Sequence, residues 1–159
     1  MALKSTFARG LLPLALVVCA PVVMAQEAAA AQEGAAVGCA RQFEQAQRID
    51  MESFRDYDAE TFRAIHHPQA VTVFASGARR EGVDAIMAAL ASHFRNREGR
   101  WSWVERFRHV DGCRTAYILY ETVYELPSVG YRQRALTGVT YTHDGRGWLG
   151  IADQGTPLP

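Results

Sequence analysis

The stretch that decides the fold of this chain is residues 56–94, DYDAETFRAIHHPQAVTVFASGARREGVDAIMAALASHF. It predicts a short helix, a strand, a tight turn and a second helix, in that order. Asp58 precedes the short helix 59–66, where its carboxylate can accept hydrogen bonds from unpaired backbone N–H groups. Pro68 ends that helix, because the residue before a proline is pushed out of the helical region. The β-branched run 71–74 predicts the strand, and a serine–glycine pair turns the chain back.

The second helix of the stretch is marked by apolar residues that recur every three or four positions. This spacing places them on one face of an α-helix over residues 83–94. They are Val83, Ile86, Met87, Leu90, Ala91 and Phe94.

Several residues of this stretch match the pattern of a known superfamily: Asp56-Tyr57-Asp58-Ala59, Ala70-Val71, Gly77 and Gly82-Val83-Asp84-Ala85-Ile86. On these residues, the chain resembles the SnoaL-like branch of the nuclear transport factor 2-like superfamily over roughly residues 40 to 154. The resemblance implies a cystatin-like α+β fold, with three helices on a curved antiparallel sheet that forms a cone-shaped barrel. It also implies a pocket for a small molecule at the open end, and a homodimer formed through the outer sheet face.

Residues 1–25 predict a signal peptide. A basic start is followed by the apolar run 11–24, and Val23-Met24-Ala25 offers small residues at the cleavage site. The run is shorter than the ~20 residues that a membrane-spanning helix needs. We expect cleavage after Ala25, export to the periplasm or outside the cell, and no membrane attachment afterwards. Lipidation at Cys19 is the less favoured alternative, because a valine precedes it where a small residue is required.

Two further segments follow the signal peptide. Residues 26–38, rich in alanine, glutamine, glutamate and glycine, predict a flexible leader, because they carry too little apolar bulk to order. Residues 39–159 predict a single SnoaL-like domain of ordinary size. The formal net charge of the chain is zero, so nothing indicates a nucleic-acid partner.

The first helix of the domain, residues 39–55, carries two polar residues on its apolar face. That face is centred on Phe43 and Phe54, and it includes Gln47 and Asp50. A carboxylate facing a core is costly unless it is paired or hydrated. Two interpretations stay open: Asp50 pairs with an arginine at the edge of the core, or the face borders a polar pocket.

Four strands with turn signals between them follow the second helix. Consecutive hairpins imply an antiparallel meander, and helices that precede such a sheet give an α+β class. The predicted strands are residues 101–110, 113–126, 131–143 and 148–153.

Alternation along these strands predicts which side chains share a face. Trp101, Trp103, Glu105 and Phe107 should lie together, and the two tryptophans suit the core or a subunit interface more than a platform for a ligand. Glutamates of the second strand should lie opposite arginines of the third, as a solvated cross-strand ladder. The ladder consists of Glu121, Glu125, Arg132 and Arg134.

The sequence predicts neither a metal nor a cofactor. Its five histidines lack the spacing of a metal site, and His66-His67 suits the end of a helix. No nucleotide-binding or nucleophile motif occurs. Ketosteroid isomerase, the best-understood enzyme of this fold, needs two carboxyl groups at strand positions that Phe74 and Val139 occupy here, so that activity is not expected.

Asp50 and Asp153 remain as candidates for acid–base chemistry. Alternation in the last strand places Asp153 on the inward face with Leu149 and Ile151, although it could instead end the strand and cap the following turn. The predicted ligand pocket therefore consists of Gln47, Asp50, Phe74, Trp103 and Asp153.

Export would leave Cys39 and Cys113 as the cysteines of the mature protein. In an oxidising compartment, two cysteines predict a disulfide.

The sequence thus predicts an exported domain of the SnoaL-like type that binds a small hydrophobic or partly polar molecule. One alternative is a cofactor-independent lyase, isomerase or cyclase that acts on a small hydrophobic carbonyl compound. Another is a domain with a structural role in an assembly.

Overall fold

The computed structural model describes residues 20–159, with side chains from residue 26 onward except residues 28 and 36. The predicted signal peptide lies outside the described residues but for the backbone of residues 20–25. The chain is divided at residue 34, and the sheet, the hydrophobic core and the cavity described below all lie in the unit of residues 34–159. None of the described helices combines the length and apolar composition needed to cross a membrane.

The described residues contain four α-helices rather than the three predicted. The predicted helix 83–94 is broken at Leu90, whose backbone leaves the regular helical conformation. The first helix begins well before residue 39, so the predicted flexible leader 26–38 is helical, as its content of strong helix formers allows. The helices are α1 (Ala20–Arg55), α2 (Ala59–Ala64), α3 (Val83–Ala89) and α4 (Ala91–Asn96).

Asp58 caps α2 as predicted. Its carboxylate accepts a hydrogen bond from the backbone N–H of Thr61 at 3.0 Å. The chain leaves the helix at Ile65 and enters the first strand at His66, two residues before Pro68.

In the part of the chain that the structure describes, six strands form one curved, mostly antiparallel sheet, so the fold is α+β. The strands are β1 (His66–Val73), β2 (Arg79–Glu81), β3 (Arg100–Asp111), β4 (Thr115–Leu126), β5 (Tyr131–His143) and β6 (Trp148–Leu158). Their order in the sheet is β2-β1-β6-β5-β4-β3. The first and last strands, β1 and β6, run parallel to each other, and every other neighbouring pair is antiparallel.

The cross-strand ladder between β4 and β5 is confirmed. Glu125 lies opposite Arg132, and the Arg132 Nε to Glu125 Oε1 distance is 3.0 Å. Arg134 binds Glu121 at 2.8 Å, and Arg106 of β3 reaches the same carboxylate. These residues form a network of ion pairs at the surface of the sheet.

The prediction that Phe107 shares a face with the two tryptophans of β3 is wrong. The register between β3 and β4 shifts between Glu105 and Phe107, which marks a β-bulge. An extra residue in one strand reverses the alternation that follows it. Trp101 and Trp103 therefore pack against the core, whereas Phe107 is exposed on the outer face.

The main core lies between α1 and the strands β4, β5 and β6. Phe43 of α1 is fully buried, and its ring meets Tyr141 at 5.2 Å and Trp148 at 5.3 Å, both edge to face. A second cluster joins α2, β1, α3 and α4 through Phe62, Ala70, Ile86 and Phe94.

The predicted disulfide between Cys39 and Cys113 is present, with a Cα–Cα distance of 5.4 Å. It joins α1 to the turn between β3 and β4. Next to it, the Trp148 indole donates a hydrogen bond to the Cys39 carbonyl at 3.0 Å. The disulfide thus fixes α1 against the sheet close to the main core.

Candidate functional site

A cavity of about 460 Å³ lies within residues 34–159, between α1, the α2–β1 and α3–α4 segments, and the inner face of the sheet. Residues of α1 and of strands β1, β3, β4, β5 and β6 line it. Its wall differs from one end to the other: one end carries buried polar groups, and the other is mainly aromatic.

Asp50 of α1 is the first component of the polar end, and only 5% of it is exposed. Its Oδ2 accepts a hydrogen bond of 2.5 Å from the hydroxyl of Tyr141, which β5 holds in the main core. Burial, together with the Asp50 charge, raises the pKa of Tyr141 well above its usual value. The Tyr141 hydroxyl therefore keeps its proton and acts as a donor.

His66, the first residue of β1, is the second component and is 7% exposed. Its Nδ1 lies 2.6 Å from the carbonyl of Phe62, so Nδ1 carries a proton and donates it. Its Nε2 faces the Asp50 carboxylate, and the distance to Oδ1 is 3.8 Å. That distance is too long for a hydrogen bond.

Asp153 of β6 is the third component. Parallel pairing puts it opposite Thr72 of β1, whose hydroxyl donates to Asp153 Oδ2 at 2.7 Å. The residue is partly exposed, yet burial of the carboxyl group raises the pKa of Asp153 to about 6. The Thr72 hydrogen bond and the nearby His66 oppose this rise, and the Asp50 charge adds to it.

The opposite end of the cavity is built from stacked rings. Phe54 of α1 stacks on His93 of α4 at 3.9 Å, and Trp101 of β3 meets Phe54 edge to face at 5.2 Å. His93 Nε2 donates to the Phe54 carbonyl at 2.7 Å, and His93 Nδ1 accepts from the Tyr124 hydroxyl at 3.2 Å. Burial lowers the pKa of His93, so its ring is neutral and serves as part of the wall.

The cavity wall is acidic for its size. Among the residues that the structure describes, no lysine or arginine lines it, whereas Asp50 and Asp153 both do. Over the same residues, no three histidine, cysteine, aspartate or glutamate side chains are placed to hold a metal ion together.

Three of the five predicted pocket residues line this cavity: Asp50, Phe74 and Asp153. Gln47 instead lies beyond the cavity, where its Oε1 accepts from the Tyr120 hydroxyl at 2.6 Å. Trp103 also lies outside, and the Arg55 guanidinium sits 5.6 Å from the centre of its ring.

Sequence reasoning missed His66, Thr72 and Tyr141. His66 was interpreted as a residue at a helix end, but the helix stops at Ala64 and the imidazole turns inward. The sequence carried no clear signal for it, because the three residues that follow it in β1, His67-Pro68-Gln69, are not apolar. Tyr141 carried no signal, because a tyrosine in a strand is ordinarily part of the core.

The sequence matches no protein-family model, and no curated protein matches it. Solved structures do match. A protein with a cystatin-like fold from Caulobacter vibrioides is 15% identical, with a TM-score of 0.65 over 77% of this chain and 91% of that one. A domain of unknown function with the same fold from Nostoc punctiforme is 16% identical, with a TM-score of 0.62 over 77% of this chain and 78% of that one.

An NTF-2 like protein of unknown function from Shewanella oneidensis is also similar. It is 12% identical and has a TM-score of 0.62 over 74% of this chain and 98% of that one. The chain therefore has the cystatin-like fold of NTF2-like proteins. At these identities the likeness concerns the fold, and function has to be argued from the cavity.

Proposed function

We propose that this chain is an exported domain that binds a small, mostly apolar molecule in the cavity between α1 and the sheet. The observation that carries the proposal is the cavity itself: about 460 Å³, with aromatic rings at one end and buried hydrogen-bonding groups at the other. Ligand sites typically have this size, an apolar lining and a few convergent polar groups. The disulfide supports export, since such bonds persist in oxidising compartments.

The two ends of the cavity would orient such a ligand. Its apolar body would lie against Phe54 and Trp101, which pack edge to face at the aromatic end. Its polar group would lie at the other end, near Asp50, His66 and Asp153. A ligand that is polar throughout would leave its groups unpaired against the rings, and that costs binding free energy.

A second function, acid–base catalysis without a cofactor, is favoured by one specific observation. Asp50 accepts a strong hydrogen bond from Tyr141, whereas burial raises the pKa of Asp153 to about 6. Two carboxyl groups with different environments can divide the roles of acid and base. A lyase, isomerase or cyclase that acts on a small hydrophobic carbonyl compound would use Asp153 as the group that exchanges a proton near neutral pH.

Native mass spectrometry of the protein purified from its own source tests the binding function. We expect a co-purifying small molecule in the wild type. Ala89 lies on the cavity wall and is exposed, so Ala89→Trp should block the cavity without disturbing the core, and the ligand should be lost. Ala88→Trp is the matched control, because Ala88 is equally exposed but does not line the cavity. A ligand retained equally by both variants would contradict the proposed site.

We also infer that the domain forms a homodimer, as its resemblance to dimeric proteins of this superfamily implies. The outer face of β3 and β4 carries exposed apolar side chains at Val104, Phe107 and Tyr117. β3 is an edge strand that pairs with β4 alone. An exposed apolar face next to a free edge is the kind of surface that a second copy would cover.

A further inference from the structure

The polar end of the cavity has more hydrogen-bond acceptors than donors. The donors there are the hydroxyls of Tyr141 and Thr72, and each already donates to a carboxylate, Asp50 Oδ2 and Asp153 Oδ2 respectively. The second oxygens of both carboxylates accept no hydrogen bond from any residue that the structure describes. A carboxylate can accept hydrogen bonds at both oxygens, so two of these four oxygens remain without a donor among the described residues.

His66 adds a third acceptor. Its Nδ1 proton is donated to the Phe62 carbonyl, so Nε2 carries a lone pair whenever the imidazole is neutral. The residue is 7% exposed and lines the cavity, and its Nε2 makes no hydrogen bond within the described residues. Asp50 Oδ1, 3.8 Å away, is also an acceptor, so these two atoms cannot satisfy each other without a proton supplied between them.

The charged side chains of the cavity wall are also unbalanced. The described wall contains two carboxylates and no lysine or arginine. Burial lowers the pKa of its other imidazole, His93, against the opposing effect of the hydrogen bond to the Phe54 carbonyl, so His93 offers no positive charge. At neutral pH the cavity therefore holds more negative than positive charge, and an anionic ligand would be repelled.

An aromatic ring lies next to the unsatisfied acceptors. The Phe62 ring is centred 4.2 Å from the His66 ring, and Phe62 also lines the cavity. The face of an aromatic ring attracts a cation that lies within about 6 Å of its centre. Free acceptors, excess negative charge and a neighbouring ring together fit one chemical group, a protonated amine, which has a positive charge and up to three N–H donors.

We propose that the ligand of this cavity is a hydrophobic amine, whose ammonium group lies among Asp50, His66 and Asp153 and whose apolar body lies against Phe54 and Trp101. The inference rests on the proposed binding function and names the chemical class of the ligand. A ketone or ester offers acceptors alone, so it would leave the free oxygens of both carboxylates unpaired.

Three probes with the same phenyl-alkyl body test the inference: 4-phenylbutylamine, 4-phenylbutanol and 4-phenylbutanoate. Binding of each to the disulfide-bonded protein would be measured by isothermal titration calorimetry at pH 7. We expect the amine to bind at least about tenfold more tightly than the alcohol, since charge-assisted hydrogen bonds are roughly twice as strong as neutral ones. We expect the butanoate not to bind.

A variant of Asp153 distinguishes the effect of its charge on binding from the effect of its shape. Asp153→Asn should weaken amine binding by about tenfold or more and change alcohol binding little, because it removes a charge and keeps the volume. Glu60→Gln, an exposed carboxylate outside the cavity, is the matched control and should change neither. If Asp153→Asn does not fold, the order of affinities of the three probes for the wild type still decides whether the cavity prefers an amine.

The outcomes also distinguish this inference from the proposed function. If the alcohol or the butanoate binds as tightly as the amine, and Ala89→Trp abolishes that binding, the cavity binds ligands but the amine inference is wrong. If none of the probes binds and no ligand co-purifies, both the inference and the proposed function are wrong.

Discussion

Asp50 occupies a helix position that ordinarily carries an apolar side chain, in the same face as Phe43 and Met51. The sequence left open whether an arginine or a pocket offsets the cost of burying it. In the structure its hydrogen-bond partner is the Tyr141 hydroxyl, His66 Nε2 lies 3.8 Å from its other oxygen, and the residue lines the cavity. This carboxylate accepts one hydrogen bond from a neutral donor, and its other oxygen is free. It is therefore better suited to binding a ligand than to stabilising the fold.

Asp50→Asn should therefore affect binding more than folding. The amide oxygen keeps the shape of the side chain and can still accept from Tyr141, so we expect the free energy of unfolding to change by less than about 1 kcal/mol. Binding of an amine probe should weaken. Urea denaturation and calorimetry on the same preparation measure both quantities. A loss of stability of more than about 3 kcal/mol would instead mean that Asp50 belongs to a structural ion pair.

Asp153 should make stability depend on pH. Burial raises its pKa to about 6 in the folded state, against an ordinary value near 4, so the folded protein binds more protons than the unfolded chain between these values. The contribution of Asp153 to stability therefore falls as pH rises from about 4 to 6. The groups that face it are Asp50, His66, Thr72 and Tyr141.

Asp153→Asn should lack this dependence. Relative to wild type, the variant should gain stability as pH rises from 4 to 7, by up to about 3 kcal/mol for a shift of two units. Urea denaturation of both proteins across this range provides the difference, with Glu60→Gln as the control. A difference that stays flat from pH 4 to 7 would show that Asp153 has no raised pKa.

At the scale of elements, periodicity predicted the sheet better than the helices. The bounds of β5, residues 131–143, agree with the structure, because turn residues and alternating apolar positions mark both of its ends. β2 was missed, since its three residues are all charged and exposed and carry no apolar signal. The break at Leu90 was missed too, because the apolar spacing continues across it.

The candidate site was predicted in part, and the reason is geometric. Helical and strand periods say which face of an element a residue occupies, so they placed Asp50 and Asp153 inward. They do not say where along that face the core ends and the cavity begins. Gln47, one turn before Asp50, therefore lies on the same face but against Tyr120 of the main core.

The disulfide adds a covalent link between the sheet and α1, which packing and hydrogen bonds from Tyr141 and Trp148 also hold in place. It closes a loop between residues 74 positions apart, for which chain entropy predicts about 4 kcal/mol of stabilisation. We expect Cys39→Ser/Cys113→Ser to lower the free energy of unfolding by roughly that amount in urea. Thiol titration of the denatured, unreduced wild type should find no free thiol in the exported protein. Two free thiols would show that the bond does not form.

At the scale of the whole molecule, the proposed export would determine which part of the chain is present in the mature protein. The pattern at Val23-Met24-Ala25 predicts cleavage after Ala25. Intact-mass measurement of the protein recovered from the periplasm or the medium should therefore give a chain that begins at Gln26. A diacylglycerol adduct on Cys19 would replace this prediction with lipidation.

Self-association is the remaining property of the whole molecule. The apolar face of Val104, Phe107 and Tyr117 lies on the outer side of the sheet, away from the cavity, because the bulge in β3 turns Phe107 outward. The Phe107 and Tyr117 rings are 6.3 Å apart and form a continuous apolar surface. In a dimer with twofold symmetry, the same surface on each copy would bury its counterpart.

Light scattering coupled to size-exclusion chromatography should therefore give the wild type twice the mass of one mature chain. Phe107→Glu should give a monomer, because burying two unpaired carboxylates at the contact is costly. Val129→Glu is the matched control: Val129 is 73% exposed in a separate turn, so its replacement should leave the dimer intact. A monomeric wild type, or a Phe107→Glu variant that remains dimeric, would show that this face does not join two copies. Because the cavity lies on the opposite side of the sheet, monomeric Phe107→Glu should still bind the amine probe.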